Sequence, residues 1–539
     1  MRTLPALSLL LVLPTLACNG DDTTATESAT DSATGATMTA SATAATTMSS
    51  ATGTATDATA TGTGTATGTS TTTGPTTETD PTTSTATTAT TDSTTTNPTT
   101  TDSTTDPTDS TTTGVSTEPT TDPTTTTTTG DPPPVCGNGV VEEGEACDDG
   151  DDIDKNSCSN TCALVPCDQQ EGGGMGGFDY SYIWIANSPQ GTVSKVDTVM
   201  LKEVARYNTD PVQNSSPSRT AVNVDGRYAA VANRIAGSVT VFASDVKDCV
   251  DKNNNGMIET STGPNDVKPW GQDECMLWNV KISPSNNSVE QKGPRPLGWD
   301  FDDQDPVTCE YKTHTLWMGW YGATNNAYFW HLDAQGNKLG EVIVPVWGSQ
   351  NSWGPYGGAV DKNHDFWVAG WHGPLVRVNH ADYTYKMWND PILNSTSSYG
   401  MALDKEGDPW FGGCGGSIVT FNTQNETFKV VGSPGGCMRG LMVDGEGRGW
   451  IAKNGGACLV EVDTVNDTIV NQNINIPGCQ TVVGVSIDIE GYVWIVDQGG
   501  RAYKMDPDTY QVQTVMGFNG PYTYSDMTGA GIRLQAMPQ

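Results

Sequence analysis

The sequence predicts an all-β fold for its C-terminal two-thirds, a seven-bladed β-propeller closed by a C-terminal strand. Two observations carry this prediction: an aspartate followed six residues later by a tryptophan, and a strand signal that recurs with each such pair. Successive tryptophans of the repeat lie 43, 40 and 44 residues apart, the length of one four-stranded blade. The pairs are Asp361 and Trp367, Asp404 and Trp410, Asp444 and Trp450, and Asp488 and Trp494.

Each pair predicts the same local structure. The aspartate and the small residues after it close a tight turn between the two innermost strands of a blade. The tryptophan then opens the second strand and packs between blades. Seven second-strand signals are present, at 182–187, 228–233, 315–320, 366–371, 409–412, 449–453 and 493–497.

The first of these seven units lacks an inner strand of its own. The chain ends in a stretch of strand character, 528–535, which we expect to supply that strand and so remove the free edges of the ring. The propeller is therefore predicted to span residues 178–539.

The N-terminus has the form of an export signal. A short apolar run ends at Cys18, and it is too short to span a bilayer as a mature helix. Leu16, Ala17 and Cys18 resemble the lipobox of bacterial lipoproteins, which implies a signal peptide over 1–18 and a lipid on Cys18. The alternative is an ordinary cleaved signal peptide. The lipobox implies an exported protein anchored in a membrane, at the outer membrane or cell surface.

Residues 19–134 consist almost entirely of Thr, Ser, Ala, Asp, Gly and Pro. With almost no apolar side chains to bury, such a segment cannot offset its ordering entropy, so we expect a disordered stalk. The formal net charge of −36 and the absence of any Lys/Arg cluster exclude nucleic acid as a partner. We expect a monomer that meets an unknown extracellular ligand or protein.

A small disulfide-rich module is predicted at 135–167. Its four cysteines, Cys136, Cys147, Cys158 and Cys162, indicate two bridges in place of a hydrophobic core. The motifs CGNGVVE, GEACDDG and CSNTC, in that order along the chain, resemble the cysteine-rich repeat of myxobacterial surface proteins. This resemblance implies a bacterial cell-surface setting. An acidic run follows the second cysteine and is interpreted either as a Ca²⁺ site or as a solvated loop: Asp148, Asp149, Asp151, Asp152 and Asp154.

The blade register predicts which residues face one end of the ring, here called the mouth, where inner strands begin and second strands end. The opposite end, which carries the aspartate turns, is called the turn end. Arginines and aromatics at the mouth suit a carboxylated or planar ligand. Alternatively, the arginines satisfy loop carbonyls around a water channel. The candidates at inner-strand starts are Arg219, Arg295, Tyr356, Tyr399 and Arg439, and those at or after second-strand ends are Asn187, Asn233, Trp320, Trp371, His372 and Asn454.

The same register predicts disulfides. Cys414 with Cys437, and Cys458 with Cys479 one blade later, fall across neighbouring blades at the mouth. Cys249 and Cys275 are expected to close an insertion, 249–275, in blade two. Cys167 and Cys309 remain as a pair that would join the module to the propeller.

The insertion contains a calcium-loop pattern of the EF-hand kind, with Gly256 at its sixth position. The pattern departs at position 12, where Thr262 replaces the usual glutamate. An Asn-rich turn without metal is the alternative, and any Ca²⁺ here would be structural. The predicted ligands are Asp251, Asn253, Asn255, Met257 and Glu259.

The repeats as a group resemble the streptogramin (virginiamycin B) lyase-like propellers. The matching segments are Val360-Asp361, Leu403-Asp404, Val443-Asp444 and Ile487-Asp488 with their tryptophans, and Ser525-Asp526-Met527-Thr528-Gly529. The resemblance implies elimination chemistry that uses a late-blade histidine with Mg²⁺. All five histidines here precede blade five, so no catalytic residue is carried over, and His372 is the one candidate base.

These observations favour a surface lipoprotein that displays the propeller as a ligand-binding or protein-interaction module, without catalysis. The first alternative is a secreted lyase or hydrolase that acts on a peptide or glycan at the mouth. The second is a structural envelope component with no small ligand. An enzyme needs a base and an acid or metal that converge, whereas a binder needs only complementary groups.

Overall fold

The structure, a computed structural model, describes residues 135–148, 150, 158–167, 181–285, 290–302, 304, 311–348, 353–524 and 526–536. Cys18, the signal segment and the predicted stalk lie outside these ranges, as does Cys309. Within these ranges, no helix combines the length and apolar character that crossing a membrane requires.

The described residues form seven antiparallel sheets in chain order, the blades of a propeller. The first sheet has three strands and each of the others has four. The first four blades contain β1 (Tyr182–Asn187), β2 (Thr192–Asp197) and β3 (Lys202–Asn208); β4 (Pro217–Val222), β5 (Tyr228–Asn233), β6 (Ser238–Ala243) and β7 (Met276–Lys281); β8 (Leu297–Phe301), β9 (His314–Tyr321), β10 (Ala327–Leu332) and β11 (Lys338–Val344); β12 (Pro355–Val360), β13 (Phe366–Gly370), β14 (Leu375–Val378) and β15 (Tyr385–Trp388).

The later blades have the same arrangement, and the helices are short. The strands are β16 (Ser398–Leu403), β17 (Pro409–Gly413), β18 (Ile418–Asn422) and β19 (Thr427–Gly432); β20 (Cys437–Val443), β21 (Arg448–Asn454), β22 (Leu459–Asp463) and β23 (Thr468–Ile474); β24 (Val482–Ile487), β25 (Val493–Asp497), β26 (Arg501–Met505) and β27 (Val512–Met516). The α-helices are α1 (Pro391–Thr396) and α2 (Ala530–Ala536), and single 3-10 turns occur at Ser188–Gln190, Val246–Asp248 and Glu290–Lys292.

The seven-bladed fold predicted from the repeat is confirmed. Each second-strand signal coincides with a strand that is second from the ring axis: β1, β5, β9, β13, β17, β21 and β25. Tryptophans on these strands are almost fully buried: Trp184, Trp317, Trp367, Trp410, Trp450 and Trp494. Their rings fill the space between neighbouring blades, which accounts for the repeat.

The C-terminal segment closes the ring, but not with the residues that the sequence predicts. An extended stretch, Pro521–Tyr524 followed by Asp526 and Met527, runs antiparallel to β1 in the place of the missing inner strand. The Tyr522 N–H donates to the Ala186 carbonyl at 2.8 Å, and the Trp184 N–H donates to the Met527 carbonyl at 3.0 Å. On the other side, the Val222 N–H of blade two donates to the Asp526 carbonyl at 3.0 Å.

The assignment of 528–535 as a strand is therefore wrong, because most of this stretch forms helix α2. The chain turns at Gly529, which has a φ of +84° that favours glycine. The Ile532 N–H then donates to the Asp526 carboxylate at 2.9 Å near the start of the helix. Ile532 and Leu534 are buried against inner strands of different blades, so α2 closes the turn end of the ring. A helix projects its side chains all around its axis, whereas a strand projects them to two faces. The helix can therefore bury Ile532 and Leu534 against the inner strands of different blades at once.

Bridges join the two cysteine pairs that the register predicts, Cys414–Cys437 and Cys458–Cys479, and the pair expected to close the insertion, Cys249–Cys275. In the small module, Cys136 pairs with Cys162 and Cys147 pairs with Cys158. Cys167 is also disulfide-bonded. Of the acidic run, Asp148 is described, and its carboxylate accepts backbone N–H groups from Gly137, Asn138, Gly139 and Gly150.

Candidate functional site

The inner-strand residues predicted at the mouth do come together, but as a buried layer. Tyr356 and Tyr399 lie 5.1 Å apart between ring centroids, and Tyr524 of the closing segment lies 6.0 Å and 5.0 Å from them. The Arg219 guanidinium stands 2.9 Å over the Tyr524 ring and 4.9 Å from the Tyr356 ring. All four residues are at most 2% exposed. The ring axis is thus filled at this level by stacked aromatics and a cation.

The arginines of this layer contact backbone carbonyls and aromatic rings within the protein. Arg219 donates from Nε and Nη2 to the Tyr356 carbonyl, at 3.1 Å and 2.7 Å. Arg295 donates from Nη1 to the carbonyls of Gln291 and Gly293. Arg439 stands 5.3 Å over the Tyr399 ring. For Arg219 and Arg295 the geometry matches the alternative in which arginines satisfy backbone carbonyls.

The predicted residues at second-strand ends also have partners inside the ring. The Asn187 and Asn233 amides donate to Ser194 Oγ and to the Thr209 carbonyl, respectively. Trp320 Nε1 donates to the Pro284 carbonyl at 3.0 Å, and the Trp371 ring lies 5.5 Å from that of Tyr356. Asn454 is paired in register with Cys437 at the mouth edge of blade six. The side chains of Asn187, Asn233, Trp320 and Trp371 thus fix the mouth rather than line an open entrance.

A cavity of about 240 Å³ lies beside this layer, at the mouth between blades three and four. It includes His372, whose side chain is exposed and whose Nδ1 lies 3.1 Å from the Asn394 carbonyl oxygen. Amide, carboxylate and imidazole groups surround an indole, and no lysine or arginine takes part. The lining residues are Trp347, Gly348, His372, Gly373, Pro374, Asn389, Asp390 and Asn394.

Trp347 contributes a polar group, its indole N–H, beside this cavity, and this group was not predicted from the sequence. The side chain is buried, and among the described residues its Nε1 has no hydrogen-bond partner. Two glycines lie against that atom: a Cβ at Gly370 would come within 2.8 Å of it, and one at Gly373 within 3.0 Å. A buried N–H without an acceptor is costly, so a ligand or water oxygen that reached this atom after a small local shift would be stabilised there. Trp347 is not one of the tryptophans of the aspartate–tryptophan repeat, so that repeat could not predict its contact with glycines of the next blade.

The axis below the aromatic layer is narrow and apolar. A cavity of about 30 Å³ is enclosed there by inner-strand residues such as Ala221, Leu297 and Met401, with Ile532 of α2 at its base. This volume is close to the minimum for a single water. A ligand larger than a few atoms therefore cannot bind along the axis at this level.

A second polar cluster, also missed, lies at the turn end between blades three and four. The Asp300 carboxylate meets His364 Nδ1 at 2.7 Å and His380 Nδ1 at 2.9 Å, and the His331 ring lies 5.2 Å from that of His380. Burial raises the pKa of Asp300, but contact with the two imidazoles outweighs burial and leaves the pKa below its ordinary value. Burial lowers the pKa of His331 to about 4. The concentration of all five histidines in 314–380 was the available sequence signal.

The predicted calcium loop is an exposed turn within the disulfide-closed insertion. The Asp251 carboxylate accepts the Gly256 N–H at 2.8 Å, and Gly256 has a φ of +82°. The Asn253 amide donates to the Glu259 carboxylate at 2.9 Å, and Asn255 Oδ1 accepts the Met257 N–H at 2.8 Å. The loop thus brings the predicted oxygen-bearing side chains onto one turn.

Comparison with known proteins identifies no matching family model and no similar curated protein. Solved structures that resemble this chain include a streptogramin B lyase, with 14% identity over 58% of this chain and 88% of that chain and a TM-score of 0.43. They also include virginiamycin B lyase from Staphylococcus aureus, with 12% identity over 60% and 95% of the two chains and a TM-score of 0.40. A third is a functionally unknown protein from Desulfotomaculum acetoxidans, with 9% identity over 63% and 96% and a TM-score of 0.43. The chain is a seven-bladed β-propeller whose solved neighbours include streptogramin lyase-like propellers at low identity.

Proposed function

We propose that this chain is a surface-anchored lipoprotein whose propeller binds a small polar ligand, one residue of a neutral glycan, in the cavity beside His372. The observation that carries the proposal is the buried indole N–H of Trp347, which lacks an acceptor among the described residues at a cavity lined by amides and a carboxylate. A sugar hydroxyl is both donor and acceptor, so it can accept from the indole while it donates to Asp390.

The volume and charge of the cavity support a single neutral residue. About 240 Å³ is slightly below the roughly 300–1,000 Å³ of pockets for drug-sized ligands. The lining holds one carboxylate, Asp390, and no cationic side chain, on a chain with a net charge of −36. An anionic ligand would meet repulsion there, and the arginines expected to attract one are engaged with carbonyls.

Binding is favoured over the lyase or hydrolase alternative by the surroundings of the mouth histidine. His372 Nδ1 faces the Asn394 carbonyl oxygen instead of a carboxylate. The other four histidines belong to strands and turns at the turn end, remote from this cavity. A general base needs a partner that orients it and a second group that completes proton transfer, and His372 is bonded to a backbone oxygen.

The proposal is tested with the Cys18→Ser full-length chain on an array of neutral glycans, followed by calorimetry with the best binder. We expect Trp347→Phe, which keeps the ring and removes the N–H, to weaken binding by about 3- to 10-fold, the usual range for one hydrogen bond. Gly373→Ala places a methyl against Trp347 Nε1 and should weaken binding at least as much.

Asn425→Ala is the matched control, because Asn425 lines a polar cavity at the turn end. It should bind as the parent does. Absence of glycan binding, or equal binding by the Gly373→Ala chain, would overturn the proposal. Cleavage of a bound glycan or peptide that stops in His372→Ala would instead support the enzymatic alternative.

A further inference from the structure

Three imidazoles and a carboxylate converge at the turn end, away from the proposed ligand cavity. Asp300 lies next to the last residue of β8 in blade three, and its side chain is 2% exposed. His364 and His380 come from two turns of blade four, and their side chains are 37% and 39% exposed. A buried carboxylate of one blade is thus reached by two half-exposed imidazoles of the next.

His331 of β10 supplies the third imidazole from within the interface between these blades. Its ring stacks on Trp317 at 4.4 Å with an interplanar angle of 5°, which fixes its plane. Its Nδ1 lies 3.0 Å from the Tyr383 hydroxyl and its Nε2 lies 2.7 Å from the Thr315 hydroxyl. A hydroxyl either donates or accepts, so one ring nitrogen can hold a proton while the other keeps a lone pair.

The contact between Asp300 and His380 has the distance of an ion pair but not the alignment of a hydrogen bond. Oδ2 and Nδ1 are 2.9 Å apart, yet neither atom has a hydrogen-bond partner among the described residues. Because neither atom satisfies the other, a third atom bound between them would satisfy both. One ligand atom each from Asp300, His331 and His380 lies within 4.8 Å of the other two.

These atoms match the donor set of a borderline divalent cation. Bonds of about 2.0–2.2 Å to nitrogen and oxygen place tetrahedral ligands about 3.3–3.6 Å apart, which small side-chain rotations reach from the observed separations. Imidazole with carboxylate suits Zn²⁺ better than Ca²⁺ or Mg²⁺, which prefer oxygen. His364 holds Asp300 Oδ1, so it orients the carboxylate as an outer-shell partner does.

We propose that Asp300, His331 and His380 bind one Zn²⁺-type divalent cation at the turn end, where it clamps blade three to blade four. Three protein ligands leave a fourth position on the half-exposed side of His380. The ion reaches the site from solvent on that side, and His364 positions the carboxylate.

The test is calorimetric titration of the chelator-treated, tag-free full-length chain with ZnCl₂, repeated with MgCl₂. We expect one Zn²⁺ per chain and no comparable Mg²⁺ binding. His380→Ala removes a half-exposed ligand and should weaken Zn²⁺ binding by more than 100-fold, whereas His364→Ala should weaken it by about 10- to 100-fold. A Co²⁺-loaded sample should show the visible bands of a tetrahedral site, and these should disappear in His380→Ala.

Two control variants change residues outside the proposed site. His372→Ala removes the mouth histidine and Asp251→Ala alters the insertion loop, and both should bind Zn²⁺ as the parent does. Zn²⁺ binding that survives His380→Ala, or that is lost in either control, would place the ion elsewhere and overturn the proposal. Absence of stoichiometric Zn²⁺ binding by the parent would overturn it as well.

Discussion

Trp410 donates its indole N–H to the carboxylate of Asp404, with Nε1 and Oδ2 2.8 Å apart and both residues buried. The other oxygen of Asp404 accepts the backbone N–H groups of Glu406 and Asp408. One carboxylate therefore fixes both the turn and the tryptophan of the next strand. The same bond recurs at Trp367, Trp450 and Trp494, at 2.7, 3.0 and 2.8 Å, so the six-residue spacing is a hydrogen-bond constraint.

Removing one such indole N–H should destabilise the propeller while leaving its ring packing in place. Trp410→Phe leaves a buried carboxylate oxygen without its donor, at a cost of about 1–3 kcal/mol in the free energy of unfolding. Trp388→Phe is the control, because its Nε1 contact to Glu426 is 3.4 Å long and exposed, and it should cost less than about 0.5 kcal/mol. Urea denaturation measures both, and equal losses would contradict the role assigned to the buried bond.

The stability of the propeller should carry a pH dependence from Asp404. Burial raises the pKa of this carboxyl to about 7, above its ordinary value of 3.8, although the Trp410 bond opposes the shift. The Asp404 carboxyl then ionises at a lower pH in the unfolded chain than in the folded protein. The stabilisation that the protonated carboxyl contributes is therefore fully present below pH 4 and is lost as pH rises to about 7. The loss amounts to at most about 4 kcal/mol. The Tm advantage of the parent over Asp404→Asn should therefore shrink between pH 5 and pH 8. A constant difference would contradict the shift.

Two truncations distinguish the contribution of the closing segment, which pairs with β1, from that of helix α2. A chain that ends after Met527 keeps the closing segment and loses α2, with Ile532 and Leu534 contributing about 1.5–3 kcal/mol each through burial. A chain that ends after Gly520 also loses Tyr522, Tyr524 and the backbone bonds to β1. We expect both to melt below the parent and the second to melt lowest or to aggregate. Equal Tm values for the two truncations would show that 521–527 do not close the ring.

Calcium binding by the insertion stays a prediction. If Asp251, Asn253 and Asn255 hold Ca²⁺, chelation should expose the 249–275 segment to protease, and Asp251→Ala should be digested rapidly with or without chelator. Limited proteolysis followed by mass spectrometry locates the cuts. Identical digestion of the parent in Ca²⁺ and in chelator would contradict the prediction.

Membrane attachment through Cys18 also stays a prediction, because that residue lies outside the described ranges. Metabolic labelling with a fatty acid should mark the parent protein, and Cys18→Ser should release it from the membrane fraction. Cys167→Ser, which changes a cysteine further along the chain, should remain labelled. A soluble and unlabelled parent would contradict the anchor.

The sequence by itself determined the fold, because each blade repeats a local constraint. The aspartate that closes a turn and the tryptophan six residues later belong to one blade, so their spacing is visible without any tertiary information. Once the blades were in register, cysteines such as Cys414 and Cys437 fell at adjoining strand ends, where the bridge is found.

Only the tertiary structure decided what fills the ring and what meets between blades. Ile532 and Leu534 alternate as a strand would, but apolar inner strands on several sides turn that segment into a helix. Arg219 has a mouth position in the register, yet Tyr524, some three hundred residues later, covers it. Asp300, His331 and His380 belong to different strands and turns, so their convergence depends on how two blades pack. Contacts within a blade follow from sequence spacing, whereas contacts across blades follow from closure of the ring.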